Sequence, residues 1–220
     1  MYKTSELFDL THTLAEEYLS KYEYPYDALK GLSDEIIRLG NLLDTNEYKK
    51  IKENVWVHNT VKIFETAYIS GPCIIGKNSE IRQAAFIRGS ALIGENCVIG
   101  NSSEIKNSII FDNAEVPHFN YVGDSILGYK SHLGAGAITS NLKSDKTNVV
   151  IHDKNENLET NLRKLGAIVG DYTEVGCNSV LNPGTVVGKN TIIYPLSFVR
   201  GVIKSNSIYK NKNEIVDKNV

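Results

Sequence analysis

The chain has 220 residues, 41% of them hydrophobic and 23% charged, and 24 Lys and Arg against 26 Asp and Glu leave a net charge of −2. That length suits one domain with an appendage or two small domains, and the charge balance exerts no overall pull toward nucleic acid or an anionic membrane. No uncharged apolar run is long enough to span a bilayer, and Met1-Tyr-Lys-Thr-Ser-Glu6 is polar from the start, so a cytoplasmic protein without a membrane or nucleic-acid partner is expected.

Residues 1–55 read as a helical segment. Leu7, Leu10, Leu14 and Tyr18 recur at helical spacing, Tyr24-Pro25-Tyr26 interrupts, and Leu29, Leu32, Ile36, Leu39 and Leu43 line a second helix. These stripes predict a helical hairpin packed on the rest of the chain or on a neighbouring subunit, with no cofactor role.

From Val57 the period becomes six. Val57, Ile63, Ile69, Ile75, Ile81, Ile87, Ile93, Ile99 and Ile105 follow one another at six-residue steps, and the rhythm returns at Val169, Val175, Leu181, Val187, Ile193 and Val199. Four residues after each aliphatic comes a mostly small side chain, among them Ala67, Cys73, Ser79, Ala85, Ala91, Cys97 and Ser103, with the larger Ile109 closing the first run. Neither a helix nor an alternating strand holds such a period, whereas a parallel β-helix of hexapeptide repeats does. Each hexad is one short strand and a corner, three hexads close a triangular coil, and coils stack at strand spacing, about 4.8 Å. Cys73 and Cys97 fall at the small buried position and are expected to pack rather than to react, and no CxxC pair exists. The repeat unit occupies residues 56–204, interrupted by a charged insertion at 142–168 and followed by a tail at 205–220. The open ends of such a stack need covering, and the N-terminal helices or the tail are the available covers.

Arg88 and Lys106 each follow an interior isoleucine and are eighteen residues apart, one full coil, so they stack on the same face. Stacked like charges either share an anion such as a phosphate or are neutralised by a neighbour, here Glu104. The repeat then slips by one residue, running Ile105, Ile110, Val116, Val122, Leu127, Leu133, and the slipped stretch carries His118 and Tyr121. Counting on through Leu133 sets Asn141 on the Arg88 and Lys106 face, so these side chains are expected to meet at one edge.

Val116-Pro-His118-Phe-Asn-Tyr121-Val-Gly-Asp124 and His132-Leu-Gly-Ala-Gly136-Ala-Ile-Thr-Ser-Asn141 resemble the acetyltransferase half of the bifunctional glucosamine-1-phosphate acetyltransferase/N-acetylglucosamine-1-phosphate uridyltransferase family, within the hexapeptide-repeat acyltransferases. The resemblance covers roughly residues 57–200. It implies a left-handed β-helix, a homotrimer with sites between subunits, acetyl-CoA as co-substrate and a sugar-phosphate amine as acceptor. It carries the family's catalytic base onto His118, its phosphate-binding pair onto Arg88 and Lys106, sugar contacts onto Tyr121 and Asn141, and a backbone position lining the acetyl-CoA site onto Ala135. From their places in the repeat, a backbone amide near the Gly134-Ala-Gly136 turn is expected to meet the thioester carbonyl, and Cys177, at a corner on a later coil, to border the coenzyme A channel. His132 stands where the family has a sugar-binding asparagine, and Lys143 and Lys146 are the candidates for its loop lysine. No glycine-rich nucleotide fingerprint occurs, so uridyl transfer is not expected of this chain.

The chemistry follows from the residue types. Acetyl transfer to an amine needs a base for the departing proton and donors for the developing oxyanion, and imidazole, titrating near pH 6.5 when unperturbed, can serve as the base. The rival readings are a binding protein for phosphosugars or sugar nucleotides without transfer, a sugar-nucleotide acyltransferase with another acceptor, and a zinc hydratase. The last needs three converging histidines, and no third histidine lies in register with His118 and His132, so no metal is expected. His12, His58 and His152 read as surface or structural. Lys204, Lys210 and Lys212 read as a solvated tail or as contacts to coenzyme A phosphates. The polar run from Asn155 to Arg163 is either a lid on a neighbouring subunit or a disordered loop.

Overall fold

The six-residue period becomes three stacks of short parallel strands. The computed structural model describes residues 1–154 and 156–218, and these form a mostly β solenoid of about nine turns. Face one stacks Val55–His58, Cys73–Ile75, Ala91–Ile93, the ends of Glu104–Ile110 and Tyr121–Leu127, then Ala167–Val169, Thr185–Val187 and Val202–Ile203. Face two runs from Lys62–Ile63 to Ser207–Asn211, and face three from Tyr68–Ile69 to Phe198–Val199. The interior is the aliphatic series read from the sequence, with Cys73 and Cys97 buried among it; the exception is Ile63, 38% exposed, whose strand is the first of face two and has a neighbour on one side only. Left-handed backbone recurs at the corners, at Asn78, Ala84, Ser90, Asn96 and Ser102 in successive hexads, which favours Asn and other small polar residues there.

The slip after Ile105 has a specific geometry. The coils on either side of it are seventeen residues long, pairing Ile110 with Ile93 and Leu127 with Ile110, and the shortened corners are turned by Asn107 and Asp124 at φ of 47° and 50°. This corrects the expected place of Ile109. Losing one residue moves Ser108 into the small interior position and points Ile109 outward, where it is fully buried in a second cluster.

That second cluster organises the N-terminal segment. Trp56, Ile74, Leu92, Ile109, Ile126, Ile168, Val186 and Val202 pair one above another along the outer surface of face one. Eight apolar side chains facing water would be costly, and residues 1–43 cover them, with Leu7, Phe8, Leu19, Leu29, Leu32 and Ile36 in the same cluster. Phe8 stacks on Phe111 with centroids 4.9 Å apart, and His12 lies flat against Tyr129 at 3.6 Å. Gly40 passes so close to Trp56 that a Cβ there would come within 2.4 Å of the indole ring.

The helical hairpin expected over residues 1–55 is replaced by shorter pieces: α1 (Thr4–Leu7), a 3₁₀ turn at Leu10–His12, α2 (Glu16–Leu19), a 3₁₀ turn at Pro25–Lys30 and α3 (Leu32–Gly40). The first stripe cannot stay helical because its polar backbone is engaged by the solenoid. The Asp9 N–H donates to Asp171 Oδ2 at 2.7 Å, the carbonyls of Leu7 and His12 accept from the N–H groups of Asp171 and Asp112, and the Asp9 carboxylate accepts from Thr11 N–H. Tyr48–Lys52 is a strand antiparallel to Val55–His58, so the helical part ends well before residue 55. The N-terminal helices therefore lie along one side of the stack rather than over its end. At the far end Ser207–Asn211 and Glu214–Asp217 form an antiparallel hairpin, in which Lys204 pairs with Asp217 and Lys210 with Glu214; residues 219–220 of the expected tail lie outside the described residues.

The insertion is not a loose loop among the described residues. Val150–His152 pairs with Asn157–Glu159, and Val149, Ile151 and Leu165 are buried in the face-one cluster; Asn155 lies outside the described residues. Its base is closed by a Leu142–Lys164 bridge and by Leu165 N–H donating to the Asn141 carbonyl at 3.0 Å.

The outward ladder is expected to carry as much stability as the interior. Leu92→Ala should cost about 2–5 kcal/mol in chemical denaturation. Leu196→Ala, at a corner where the side chain is 80% exposed, should change stability by no more than about 0.5 kcal/mol.

Candidate functional site

Two strand positions assemble the outer surface of face three. Phe86, Glu104, Tyr121 and Ile138 pair across successive coils, and Arg88 and Lys106 follow two residues behind Phe86 and Glu104, one coil apart as the hexad arithmetic requires. The two cations do not share an anion. Arg88 Nη1 donates to Glu104 Oε1 at 2.6 Å, while Lys106 Nζ lies 2.9 and 3.0 Å from the two oxygens of Asp124.

Asp124 is the centre of this edge. Its carboxylate is 4% exposed and accepts, besides Lys106, from Asn107 Nδ2 at 2.8 Å and Asn141 Nδ2 at 2.5 Å. Asn141 also donates to the Tyr121 hydroxyl at 3.0 Å, so phenol, amide, carboxylate and ammonium form one connected network. Burial, and then the Asp124 charge, push the Tyr121 phenol above its ordinary range, which keeps it a neutral hydrogen-bonding group. The ring folds back over Gly123, where a Cβ would come within 2.4 Å of the hydroxyl; only glycine leaves that space.

His118 is somewhere else. It ends the face-two strand Glu115–His118 and stands at the corner between faces two and three, while Lys106, Asp124 and Asn141 stand at the corner between faces three and one. The expectation of a single edge is corrected accordingly. The groups flank face three from its two sides, with Tyr121 between them, because hexad counting sets coil and position but not which corner a residue turns. The His118 side chain is exposed, and its backbone is pinned: its N–H donates to Asn120 Oδ1 at 2.9 Å, and its carbonyl accepts from Gly136 N–H at 2.9 Å. Phe119 follows in the left-handed conformation that turns the other corners, φ 53°, with its ring exposed.

Above His118 the same corner carries the other expected residues. Ala135 and Gly136 occupy the next coil, and Asn178 N–H donates to the Ala135 carbonyl at 2.8 Å, placing Cys177 on the coil above. Asn120, missed in the sequence, ties the column together: it is buried and donates to the carbonyls of Gly134 at 2.8 Å and Ala137 at 3.1 Å while holding the His118 amide. In the Gly134–Ala137 turn the amides of Gly134, Gly136 and Ala137 have backbone acceptors, whereas among the described residues that of Ala135 has none. Exposed Phe119, Tyr194 and Leu196 give this corner an apolar rim.

His132 joins neither group within the protomer. It sits on the outer surface of face two, in register between Glu115 and Glu174, with Nδ1 3.1 Å from Glu174 Oε2 and Nε2 3.9 Å from Glu115 Oε2. Lys143 is engaged by Asp145 and Thr147, and Lys146 lines a cavity below Asn141. His152 is held between Asn157 and Arg200. Among the described residues no three His, Cys, Asp or Glu side chains gather as a metal site.

A family model described as the GMPPB C-terminal domain matches residues 69–155. "Bifunctional protein GlmU" of Methanococcus aeolicus is 34% identical over 208 residues, covering 86% of this chain and 50% of that protein. The "Bifunctional sugar-1-phosphate nucleotidylyltransferase/acetyltransferase" of Sulfurisphaera tokodaii is 33% identical over 184 residues, 84% of this chain and 46% of that one. The chain belongs to the hexapeptide-repeat acyltransferase family. It spans about half the length of these curated relatives. Among solved structures, the acetyltransferase domain of PglB from Neisseria gonorrhoeae in complex with acetyl coenzyme A aligns over 74% of this chain and 57% of that chain at 14% identity and a TM-score of 0.41.

The thiols differ in reach. Burial pushes the Cys73 thiol far up and that of Cys97 to about 12, while Cys177 is exposed. Iodoacetamide at pH 8 should label Cys177 alone in the folded protein and all three cysteines in denaturant, as read by intact mass.

Proposed function

We propose that the chain transfers an acetyl group from acetyl-CoA to the amine of a phosphorylated amino sugar, with glucosamine 1-phosphate as the first acceptor to test. The observation that carries this reading is the corner column. A solvent-facing imidazole at His118 lies directly below the Ala135 amide, and face three runs from that corner to a pair of cations.

The residues fit such ligands. The apolar rim at Phe119, Tyr194 and Leu196, with Cys177 beside it, suits the pantetheine arm of acetyl-CoA, and Gly136, at φ 72° and lacking a side chain, leaves the turn open. The amine lies at His118, which takes its proton as nitrogen attacks the thioester carbon; the sulfur leaves as the free thiol of CoA. Ala135 N–H faces the carbonyl oxygen, the one turn amide not already bonded, and stabilises the charge that develops there. Arg88 and Lys106 hold the acceptor phosphate by exchanging their bonds to Glu104 and Asp124, and Tyr121 and Asn141 orient the sugar between the two corners.

A homotrimer is part of the same proposal. Face three exposes Tyr68 and Phe198, 58% and 66% accessible, in one column with Phe86 and Ile138, with Glu104 and Tyr121 between these two, and a neighbouring copy packed there would cover the exposed apolar side chains. A neighbouring copy packed there would bring its own face two, and with it His132, toward the acceptor.

Release of free thiol from acetyl-CoA in the presence of a panel of amino-sugar phosphates tests the proposal. His118→Ala should lower kcat by about 10²–10⁴-fold with the acceptor KM nearly unchanged. Lys106→Ala and Arg88→Ala should instead raise the acceptor KM by about tenfold each. Ligand binding without any thiol release would assign the protein to the binding-only class.

A further inference from the structure

A cavity of about 700 Å³ opens beside Asn107 and Asp124 at the corner between faces three and one, and its size lies within the range of small-molecule sites. Its walls come from three places that are remote in sequence: the 3₁₀ turn at Pro25–Lys30, the shortened corners at Asn107 and Asp124, and the two ends of the insertion. The chemistry of the lining is divided. Leu29, Leu142 and Leu162 supply an apolar side, and Lys30, Lys146, Arg163 and Lys164 supply cations.

The acids that could balance those cations are few. Asp124 is the one carboxylate in the lining, and its oxygens are occupied by Lys106, Asn107 and Asn141. Lys30 meets Asp27 at 3.4 Å, and among the described residues Lys146, Arg163 and Lys164 have no carboxylate within ion-pair distance. Gathering these charges is unfavourable unless a polyanion joins them. They are also not carried on a loose tip: the insertion is closed at its base by the Leu142–Lys164 bridge, and Gly166 N–H donates to the Asp124 carbonyl at 2.8 Å.

We infer that this cavity binds a nucleoside diphosphate group, its base and sugar against the three leucines and its two phosphoryl groups among Lys30, Lys146, Arg163 and Lys164. A monophosphate would leave most of the cations unbalanced, and inorganic diphosphate would leave the leucines without a partner. Both a nucleotide sugar and coenzyme A carry the required group. The site does not depend on acyl transfer at His118, since it is defined by binding alone.

Isothermal titration of the full chain at low ionic strength, with uridine diphosphate, coenzyme A and inorganic pyrophosphate as probes, decides the matter. At least one of the two nucleotides should bind more tightly than pyrophosphate, and Arg163→Glu with Lys164→Glu should weaken that nucleotide about tenfold or more, in keeping with the loss of charge-assisted phosphate contacts. Weakening of uridine diphosphate alone identifies the acceptor side as the source of the group, and weakening of coenzyme A identifies the donor side. The milder pair Arg163→Gln and Lys164→Gln, checked for an unchanged Tm, should give the same ranking with a smaller loss. Absence of nucleotide binding, nucleotide affinity unaffected in both double variants, or pyrophosphate binding at least as tightly as both nucleotides would overturn the inference.

Discussion

The structure depends on a surface that a β-helix does not ordinarily need. A triangular solenoid buries its aliphatic residues inside, and its outer faces are free to be polar. Here one outer face is apolar from Trp56 to Val202, and the first forty-odd residues are spent covering it. That requirement explains why the N-terminal segment is broken into short helices and turns. Its course follows the ladder of side chains beneath it, and its backbone bonds go to Asp112 and Asp171 on the solenoid instead of to its own fourth neighbour. It also explains the insertion, whose few apolar residues, Val149, Ile151 and Leu165, join the same cover.

The candidate site uses the two corners this leaves open. Face three is flanked on one side by a corner whose backbone is locked by Asn120, and on the other by a corner whose charges are locked by Asp124. Each is a buried polar side chain with every bonding position used, and each holds groups on more than one coil, which is how a stack of nearly identical turns acquires a site at one height. The seventeen-residue coils belong to the same device. By removing a residue at Asn107 and again at Asp124 they tighten the corner that faces Lys106 and Asn141.

Much of this is legible in the sequence, and the failures have physical reasons. The strict period identifies the interior, because nothing but stacked hexads keeps it, and counting by eighteen sets Lys106 over Arg88. The outer ladder is present as doublets at every third hexad, Ile74-Ile75, Leu92-Ile93, Ile109-Ile110, Ile126-Leu127, yet one member of each looks like part of the interior. Leu7, Leu10 and Leu14 satisfy a helical spacing that packing on a β surface overrides, whereas the stripe from Leu32 to Leu39 keeps its backbone free and forms α3. Simple counting puts His118 at the wrong edge because it gives the coil and the place in the hexad but not which of the three corners a residue turns, and the strand Glu115–His118 belongs to face two. Asp124 escapes notice because an acid after glycine reads as an ordinary turn, and its three bonding partners come from coils that local patterning does not connect.

The course of the first forty residues also changes how the molecule comes apart. In a solenoid each layer touches only the layers above and below, so the ends can fray while the middle persists. A strap anchored at Asp112 and again at Asp171, two residues 59 positions apart in the chain, joins two layers that have a third between them. Peeling any one layer then means lifting the strap from its neighbours as well, and a stack of semi-independent storeys is made to melt as one body.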